Sequence, residues 1–319
     1  MTDTHDSTNW TVSTAVGTGV KGCGGDGGPA TAAVLNNPFD LAFDAAGNLI
    51  FSDTFNHRIC KVDARTGTFS TIAGTGERGL AGDGGPAVKA LLNEPYGVVA
   101  ATDGTIYFAD RLNKRVRAIS AAGIISTVAD EDNLLEPNGL ALSPDQTRLF
   151  IADVADHRVQ VIDRGTNVIT TFAGTGEGRH DGDGGPADKA CIFGARAVAF
   201  APDSSLYVME RQGSCIRRIR DGIIETVAGT GARGYEGDGG DARVAVFNAP
   251  KEMTVAPNGD IFVVDTENHA IRMIDAATWI VRTIASGLAR PHGAVVAADG
   301  AVYVGDSENH RVCVLRRPA

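Results

Sequence analysis

One motif recurs six times along the 319-residue chain, and this repetition limits the fold more than any other feature. Each copy has an apolar segment of period two, a turn rich in Asp, Asn and Gly, and a second such segment that ends in an acidic residue. These marker residues, spaced 41 to 57 residues apart, are Asp53, Asp110, Asp153, Glu210, Asp265 and Asp306. The alternation predicts strands. Repeats of about 40 to 50 residues with four strands each are typical of propeller blades.

The two ends of the chain predict how the ring of blades closes. The sixth copy stops after its third strand, at "NHRVCVLRRPA", whereas "WTVSTAVGTG" near the start reads as a fourth strand without the other three. Pairing the two segments would remove the open edges of a linear array. We therefore predict an all-β fold, a six-bladed β-propeller of four-stranded antiparallel blades closed by the N-terminal strand. Residues 1–8 would be a flexible N-terminus and 9–319 a single propeller domain.

Composition restricts the location and the partners. The net charge of −10 opposes binding to a phosphate backbone. No apolar run approaches the roughly 18 residues that span a bilayer, and the polar start "MTDTHDSTNW" lacks the features of a signal peptide. Five cysteines without CxxC spacing argue against a disulfide framework or a structural zinc site, and Cys60 and Cys313 occupy matching positions typical of core residues. We expect a cytoplasmic protein with a small-molecule ligand, no nucleic acid and no membrane; a protein partner stays open.

The repeats resemble the NHL family. The resemblance lies in "DTFNHRICKVD", "DVADHRVQVID", "DTENHAIRMID" and "DSENHRVCVL", and it extends over nearly the whole chain. It implies a propeller. It does not choose a function, because NHL propellers serve as enzymes, sensor domains and platforms for protein or RNA.

One position in each repeat varies while the residues around it hardly change. It lies at the start of the inner strand, in stretches such as "NPFDLAF", "EPYGVVA" and "RPHGAVV". Inner strands surround the axis of a propeller, so these positions should form one ring at one end of the tunnel. In blade order, these slot residues are Phe39, Tyr96, Asn138, Arg196, Lys251 and His292.

The predicted ring suits chemistry on a small anionic or carbonyl-bearing ligand. Arg196 and Lys251 would be neighbours that hold a carboxylate or stabilise an oxyanion. His292 would act as general base, oriented by Asp40 and Glu252, which follow two of the slots. Two alternatives stay open: weak selection on solvated positions explains the variation, or strand alternation turns both carboxylates away from the axis.

Further residues complete the predicted site. Tyr96 would donate a proton or a hydrogen bond, Asn138 would bind substrate, and Phe39 would form an apolar wall. Blade four departs most from the pattern, with "GARAV" and "VMERQGSC", and such departures often mark functional sites. The loop after each second strand opens on the same face, so we expect three side chains of these loops to reach the tunnel mouth: Arg111, Glu210 and Arg211.

Other polar residues recur at matching positions, which indicates scaffold roles. The first set is His57, His157, His269 and His310; the second is Asp26, Asp83, Asp183 and Asp238 in the "GDGG" segments. His180, beside one of these segments, is ambiguous.

The last blade also resembles that of the peptidyl-α-hydroxyglycine α-amidating lyase family. This resemblance implies zinc ligands at Pro-His positions, and only His292 matches one. Lactonases of the gluconolactonase type use carboxylate and Asn metal ligands, residue types present at Asp40 and Asn138. We assign no metal ligand and no cofactor, and a divalent metal at the tunnel mouth that combines His292 with Asp40, Glu252 or Asn138 stays open.

Two functional hypotheses follow. The first is a soluble enzyme of the lyase, hydrolase or isomerase type, acting on a small polar metabolite at a charged tunnel mouth with perturbed titrations. The second is a non-catalytic platform that binds a protein partner or a small ligand on the same face. It predicts a broad apolar patch near the axis, which the slot residues do not supply.

Overall fold

The computed structural model describes residues 10–317, so the flexible segment expected over 1–8 lies outside the described residues. The chain forms six four-stranded antiparallel sheets. Strand β1 is Thr11–Val16. Blade one contains β2 (Pro38–Phe43), β3 (Leu49–Asp53), β4 (Arg58–Val62) and β5 (Phe69–Ala73). Blade two contains β6 (Pro95–Ala100), β7 (Ile106–Asp110), β8 (Arg115–Ile119) and β9 (Ile125–Ala129). Blade three contains β10 (Pro137–Leu142), β11 (Arg148–Asp153), β12 (Arg158–Asp163) and β13 (Ile169–Ala173).

The second half of the ring follows the same plan. Blade four contains β14 (Ala195–Phe200), β15 (Leu206–Glu210), β16 (Cys215–Arg220) and β17 (Ile223–Ala228). Blade five contains β18 (Glu252–Val255), β19 (Ile261–Asp265), β20 (Ala270–Ile274) and β21 (Val281–Ala285). Blade six contains β22 (Ala294–Val296), β23 (Val302–Asp306) and β24 (Arg311–Arg316), completed by β1. The predicted six-bladed propeller is therefore confirmed.

Helical structure in residues 10–317 is limited to short 3-10 turns. They are Ala30–Ala32, Thr54–Asn56, Ala87–Lys89, Arg111–Asn113, Ala242–Val244, Thr266–Asn268 and Ser307–Asn309. Two of them follow Gly-Gly-Pro, where proline pre-sets the backbone for a helical turn. No helix in the described part of the chain is long and apolar enough to cross a membrane.

The ring closes where the sequence predicted. Strand β1 pairs antiparallel with β24, with Thr11 opposite Arg316 and Val16 opposite Val312. Val16 is 1% exposed and packs in the same apolar cluster as Phe51 of blade one. The first strand thus belongs to the last blade and seals it against the first.

Apolar contacts between neighbouring blades form the core. Six clusters occupy the six blade interfaces, and both cysteines at matching positions, Cys60 and Cys313, are fully buried in them. A seventh, smaller cluster contains Phe39 and Tyr96 at the axis. The core is therefore a ring of interfaces around a tunnel.

Recurrent polar contacts tie each blade to the next. The marker aspartate Asp53 accepts a hydrogen bond from the amide of Asn36 at 2.7 Å, and Asp110 does the same from Asn93. The expected scaffold histidines have left-handed backbones. Each accepts a bond on Nδ1 from an amide near the following slot, as His57 does from Glu94 at 3.1 Å and His310 from Asn37 at 3.3 Å. The "GDGG" aspartates bind nearby side chains, as Asp83 binds Arg117 at 2.7 Å.

Docking of β1 has a measurable consequence. We expect Val16→Asn to lower the free energy of unfolding by about 3 kcal/mol, because a buried aliphatic side chain is lost and an amide is buried. The matched control Val12→Asn alters a residue that is 43% exposed on the same strand and should change stability by less than about 0.5 kcal/mol. Urea denaturation of both variants measures the difference, and equal effects would contradict the closure.

Candidate functional site

The six slot residues form one layer across the tunnel, called the slot layer below. Each of them is at most 6% exposed. The ring of Phe39 stacks on the imidazole of His292, with centroids 3.9 Å apart and planes 1° apart. The edge of Tyr96 meets Phe39 at a centroid distance of 4.8 Å. Residues distant in sequence, from blades one, two and six, are therefore in direct contact.

Arg196 joins the other side of the layer to these aromatic rings. Its guanidinium donates to Asn138 Oδ1 at 2.6 Å and to the hydroxyl of Tyr96. It also lies over the Tyr96 ring, 4.2 Å from the centroid, a favourable geometry for a cation and a π face. Burial raises the pKa of Tyr96 to about 12, so its hydroxyl stays protonated at neutral pH.

Backbone geometry explains why the slots converge. A β-bulge follows the slot proline in three blades, with register shifts between Pro38 and Leu41, Pro95 and Val98, and Pro137 and Leu140. Bulges re-aim side chains at the ends of strands. Inner strands also approach closely: a Cβ on Gly97 would lie 2.0 Å from the carbonyl oxygen of Asn138, and one on Gly293 would lie 2.4 Å from that of Phe39. Glycine after these slots lets the neighbouring strand pack.

Lys251 and His292 form a buried pair. Lys251 Nζ lies 3.0 Å from His292 Nε2, and His292 Nδ1 lies 2.8 Å from the carbonyl oxygen of Arg290. Since a carbonyl only accepts, Nδ1 carries the proton and Nε2 accepts from the lysine. Glu267 lies 3.4 Å from the same Nζ. His292 therefore acts as the acceptor that orients Lys251.

The electrostatic environment of this pair is strongly cationic. Burial, followed by the charges of Arg196 and Arg290, lowers the pKa of Lys251 to about 7. Burial, followed by Lys251 and Arg196, holds the pKa of His292 well below its usual range. Excess positive charge in a dry site favours uncharged forms of both groups and favours a bound anion.

Asp40 and Glu252 lie one residue deeper along their strands. Within residues 10–317 the hydrogen bonds to their carboxyl oxygens come from backbone amides, such as Val98 to Asp40 at 2.9 Å and Met253 to Glu252 at 3.0 Å, and none comes from His292. Burial raises the pKa of Asp40 to about 7, and burial followed by the Asp40 charge raises that of Glu252 well above its usual range. Both line a tunnel cavity of about 340 Å³.

The three loop residues differ in where they lie. Arg111 is held at the rim by Glu94 and by Glu136, the latter at 3.0 Å. Arg211 is half-buried, and its charge is felt at Lys251. Glu210 is fully buried and binds Arg217 and His180, each at 2.8 Å. Its carboxylate is directed toward the third strand of its blade. Glu210 therefore does not reach the tunnel mouth, contrary to our expectation from the sequence.

Two buried donors near the layer lack an acceptor. Among the described residues, Arg196 Nε and Arg211 Nε have no hydrogen-bond partner. A buried guanidinium nitrogen without an acceptor is costly.

Three residues that touch the layer were not predicted from the sequence. Arg290 supplies the carbonyl that fixes His292, Glu267 neutralises Lys251, and the ring of Phe55 lies 5.5 Å from that of Phe39. Phe55 and Glu267 both stand two positions after a marker aspartate. Arg111 and Arg211, which were predicted, stand one position after their markers. Extending the same search to the second position would have found Phe55 and Glu267.

The slot layer does not present a set of metal ligands. Both ring nitrogens of His292 are engaged, by Arg290 and Lys251. In residues 10–317, the group of three His, Cys, Asp or Glu side chains spaced to share an ion lies in blade four, outside this layer.

Sequence comparisons support the NHL character of the repeats. The family model described as the NHL repeat matches residues 288–315, and the one described as the Teneurin NHL domain matches residues 69–155. These matches support the NHL propeller family. Teneurin-3 of Danio rerio is 30% identical over 294 residues, an alignment that covers 75% of this chain and 11% of that protein. The chain thus spans about a tenth of the length of this relative.

Solved structures share the fold at low identity. An auxiliary nutrient binding protein from Bacteroides thetaiotaomicron VPI-5482 has a TM-score of 0.72 at 17% identity, covering 97% of this chain and 76% of that one. A gluconolactonase from Xanthomonas campestris has a TM-score of 0.65 at 13% identity, covering 97% and 90%. A streptogramin B lyase has a TM-score of 0.62 at 14% identity, covering 97% and 98%. The shared architecture therefore hosts both binding proteins and enzymes.

The lowered pKa of Lys251 predicts a pH-dependent variant. Between its ordinary value of 10.5 and about 7, the unfolded chain binds more protons than the folded protein, so wild-type stability rises with pH through this window. Lys251→Met removes that dependence. The free energy of unfolding of the variant minus that of wild type should therefore be higher at pH 6 than at pH 9, by on the order of 2 kcal/mol.

Urea denaturation at the two pH values measures this difference. Lys89→Met is the control, since Lys89 is exposed on an outer turn and its removal should give the same relative stability at both. A Lys251→Met difference that does not vary with pH would show that the lysine is solvated and fully charged.

Proposed function

We propose that the protein is an enzyme that acts on a small anionic carbonyl compound at the slot layer. The observation that carries the proposal is the buried Lys251 amine, 3.0 Å from His292 Nε2, beside guanidinium groups whose Nε atoms have no acceptor among the described residues. Buried titratable pairs whose pKa values are perturbed by specific charged neighbours are typical of catalytic sites.

The arginines would bind the anion. Arg196 is held in place by Asn138 and Tyr96, so its position costs little reorganisation when substrate arrives. Arg211 approaches from the loop above. A carboxylate or developing oxyanion between them would accept charge-assisted hydrogen bonds, which stabilise the transition state when charge grows on oxygen.

The Lys251–His292 pair would supply the base. An amine with a pKa of about 7 is partly uncharged at neutral pH, and it can accept a proton from a carbon next to a carbonyl or from a water molecule. The imidazole fixes the direction of the amine by accepting one of its N–H bonds. The general-base role that the sequence suggested for His292 alone is thereby assigned to the pair, with the proton held on Lys251 Nζ.

The structural neighbours are compatible with this class of reaction. A gluconolactonase and a streptogramin B lyase share the fold at low identity, which supports hydrolase or lyase chemistry on such a fold. A proton-transferring isomerase would use the same groups.

One observation favours a second candidate, a binding platform. Phe55, Leu112 and Leu135 are 42%, 43% and 47% exposed on blades one to three, and Phe55 contacts the slot layer through Phe39. Exposed apolar groups near a tunnel mouth suit a protein partner. The nutrient binding protein with the same fold is consistent with a non-catalytic role.

Turnover by matched variants tests the proposal. With pyruvate, deuterium exchange from solvent reports proton abstraction; with 6-phosphoglucono-1,5-lactone, an anionic lactone, acid release reports hydrolysis. We expect one of these probes to react, and Lys251→Met and Arg196→Met each to lower kcat/KM by about 100-fold or more, the size of a lost acid–base or oxyanion group. Lys89→Met should retain the wild-type rate.

Two outcomes would overturn the enzyme proposal. One is a wild-type rate retained in Lys251→Met. The other is the absence of turnover together with a macromolecular partner whose binding is lost in Phe55→Ser, which would select the platform.

A further inference from the structure

Blade four departs from the other blades at three positions that meet in space. Its marker is Glu210 rather than aspartate, and its third strand begins with Cys215, where Arg58 and Arg311 stand in blades one and six. The link loop carries His180 where blade two has Leu80. In blade four, three residues of types that bind metal ions therefore occur together at one point outside the tunnel.

The three side chains converge at metal-binding distances. His180 Nδ1 lies 2.8 Å from Glu210 Oε2 and 3.6 Å from Cys215 Sγ, and all three ligand atoms lie within 4.8 Å of one another. Bonds of about 2.0 to 2.3 Å in a tetrahedral site separate the ligand atoms by roughly 3.3 to 3.8 Å. Side-chain shifts of less than about 1 Å would thus admit an ion.

In His180 and Glu210, the polar atom that points away from the cluster already has a hydrogen-bond partner. Thr226 Oγ1 lies 3.1 Å from His180 Nε2; if it accepts from that nitrogen, the lone pair of Nδ1 faces the cluster. Arg217 donates to Glu210 Oε1 at 2.8 Å, which leaves Oε2 free to ligate. Outer hydrogen bonds of this kind orient histidine and carboxylate ligands in metal sites.

The local charge balance also suits a divalent ion. The positive charge of Arg217 is offset by Asp183, whose Oδ1 lies 2.6 Å from Nη2. The Glu210 carboxylate and a Cys215 thiolate would then neutralise two positive charges. Glu210 and Cys215 are 0% and 1% exposed, whereas the His180 side chain is 37% exposed, so the ion would enter past the histidine.

We propose that His180, Glu210 and Cys215 bind one zinc ion in blade four, with the fourth position open to water. Thiolate, imidazole and carboxylate together suit Zn²⁺, whereas Mg²⁺ and Ca²⁺ prefer oxygen ligands only. The ion would connect the link loop to the second and third strands of the blade. This site is separate from the slot layer and does not depend on the proposed reaction there.

Metal titration of the full chain tests the site. After chelator treatment, dialysis and addition of Zn²⁺, we expect native mass spectrometry to detect one Zn²⁺ per chain. Co²⁺ added to the stripped protein should produce the near-ultraviolet absorption of a thiolate–cobalt bond. Cys215→Ser should abolish this absorption, and both Cys215→Ser and His180→Leu should weaken zinc binding by at least about tenfold, because a ligand is lost.

The chain offers matched controls. Cys23→Ser removes an exposed thiol from the equivalent loop of blade one and should leave zinc affinity unchanged, as should Lys251→Met in the tunnel. His180→Leu installs the blade-two residue on an exposed loop, so it decides the question if Cys215→Ser does not fold. Zinc affinity equal to wild type in His180→Leu, or no zinc bound by the wild-type chain, would overturn the proposal.

Discussion

Pairing between the first and last strands is the constraint on which the rest of the molecule depends. Strand β1 supplies the outer edge of blade six and buries Val16 against blade one. Without that pairing, β24 would present an open edge and the sixth blade interface would lose part of its apolar cluster. Closure also makes blade six the neighbour of blade one, and this is why His292 can stack on Phe39.

The slot layer exists because the ring brings polar groups to a site from which most water is excluded. Burying a cation costs several kcal/mol unless other groups compensate. Arg196 is compensated by Asn138 and Tyr96, while Lys251 is compensated by His292 and Glu267 and by a pKa near neutrality. The interface clusters supply the stability that tolerates this arrangement, and the unsatisfied arginine donors are what a ligand would use.

The repeat pattern was sufficient to predict the blades, their number and the closing strand. Strands end at marker residues such as Asp53 because the carboxylate must bind amides of the preceding link, a local rule visible in sequence. The Lys251–His292 contact was not predictable, because it depends on bulge geometry and side-chain rotamers. Glu210 was misplaced because it keeps the scaffold contact of a marker residue: it binds Arg217 as Asp110 binds Arg117, and it also meets His180, which only the folded blade brings near.

Residues from separate blades act as one packed layer, and a double-mutant cycle tests this most directly. Tyr96 and Arg196 are 100 positions apart in sequence and belong to blades two and four. Unfolding free energies of Tyr96→Phe, Arg196→Met and the double variant give their coupling. We predict a coupling energy above about 1 kcal/mol, as for a buried charged hydrogen bond. Additive effects within about 0.3 kcal/mol would contradict it.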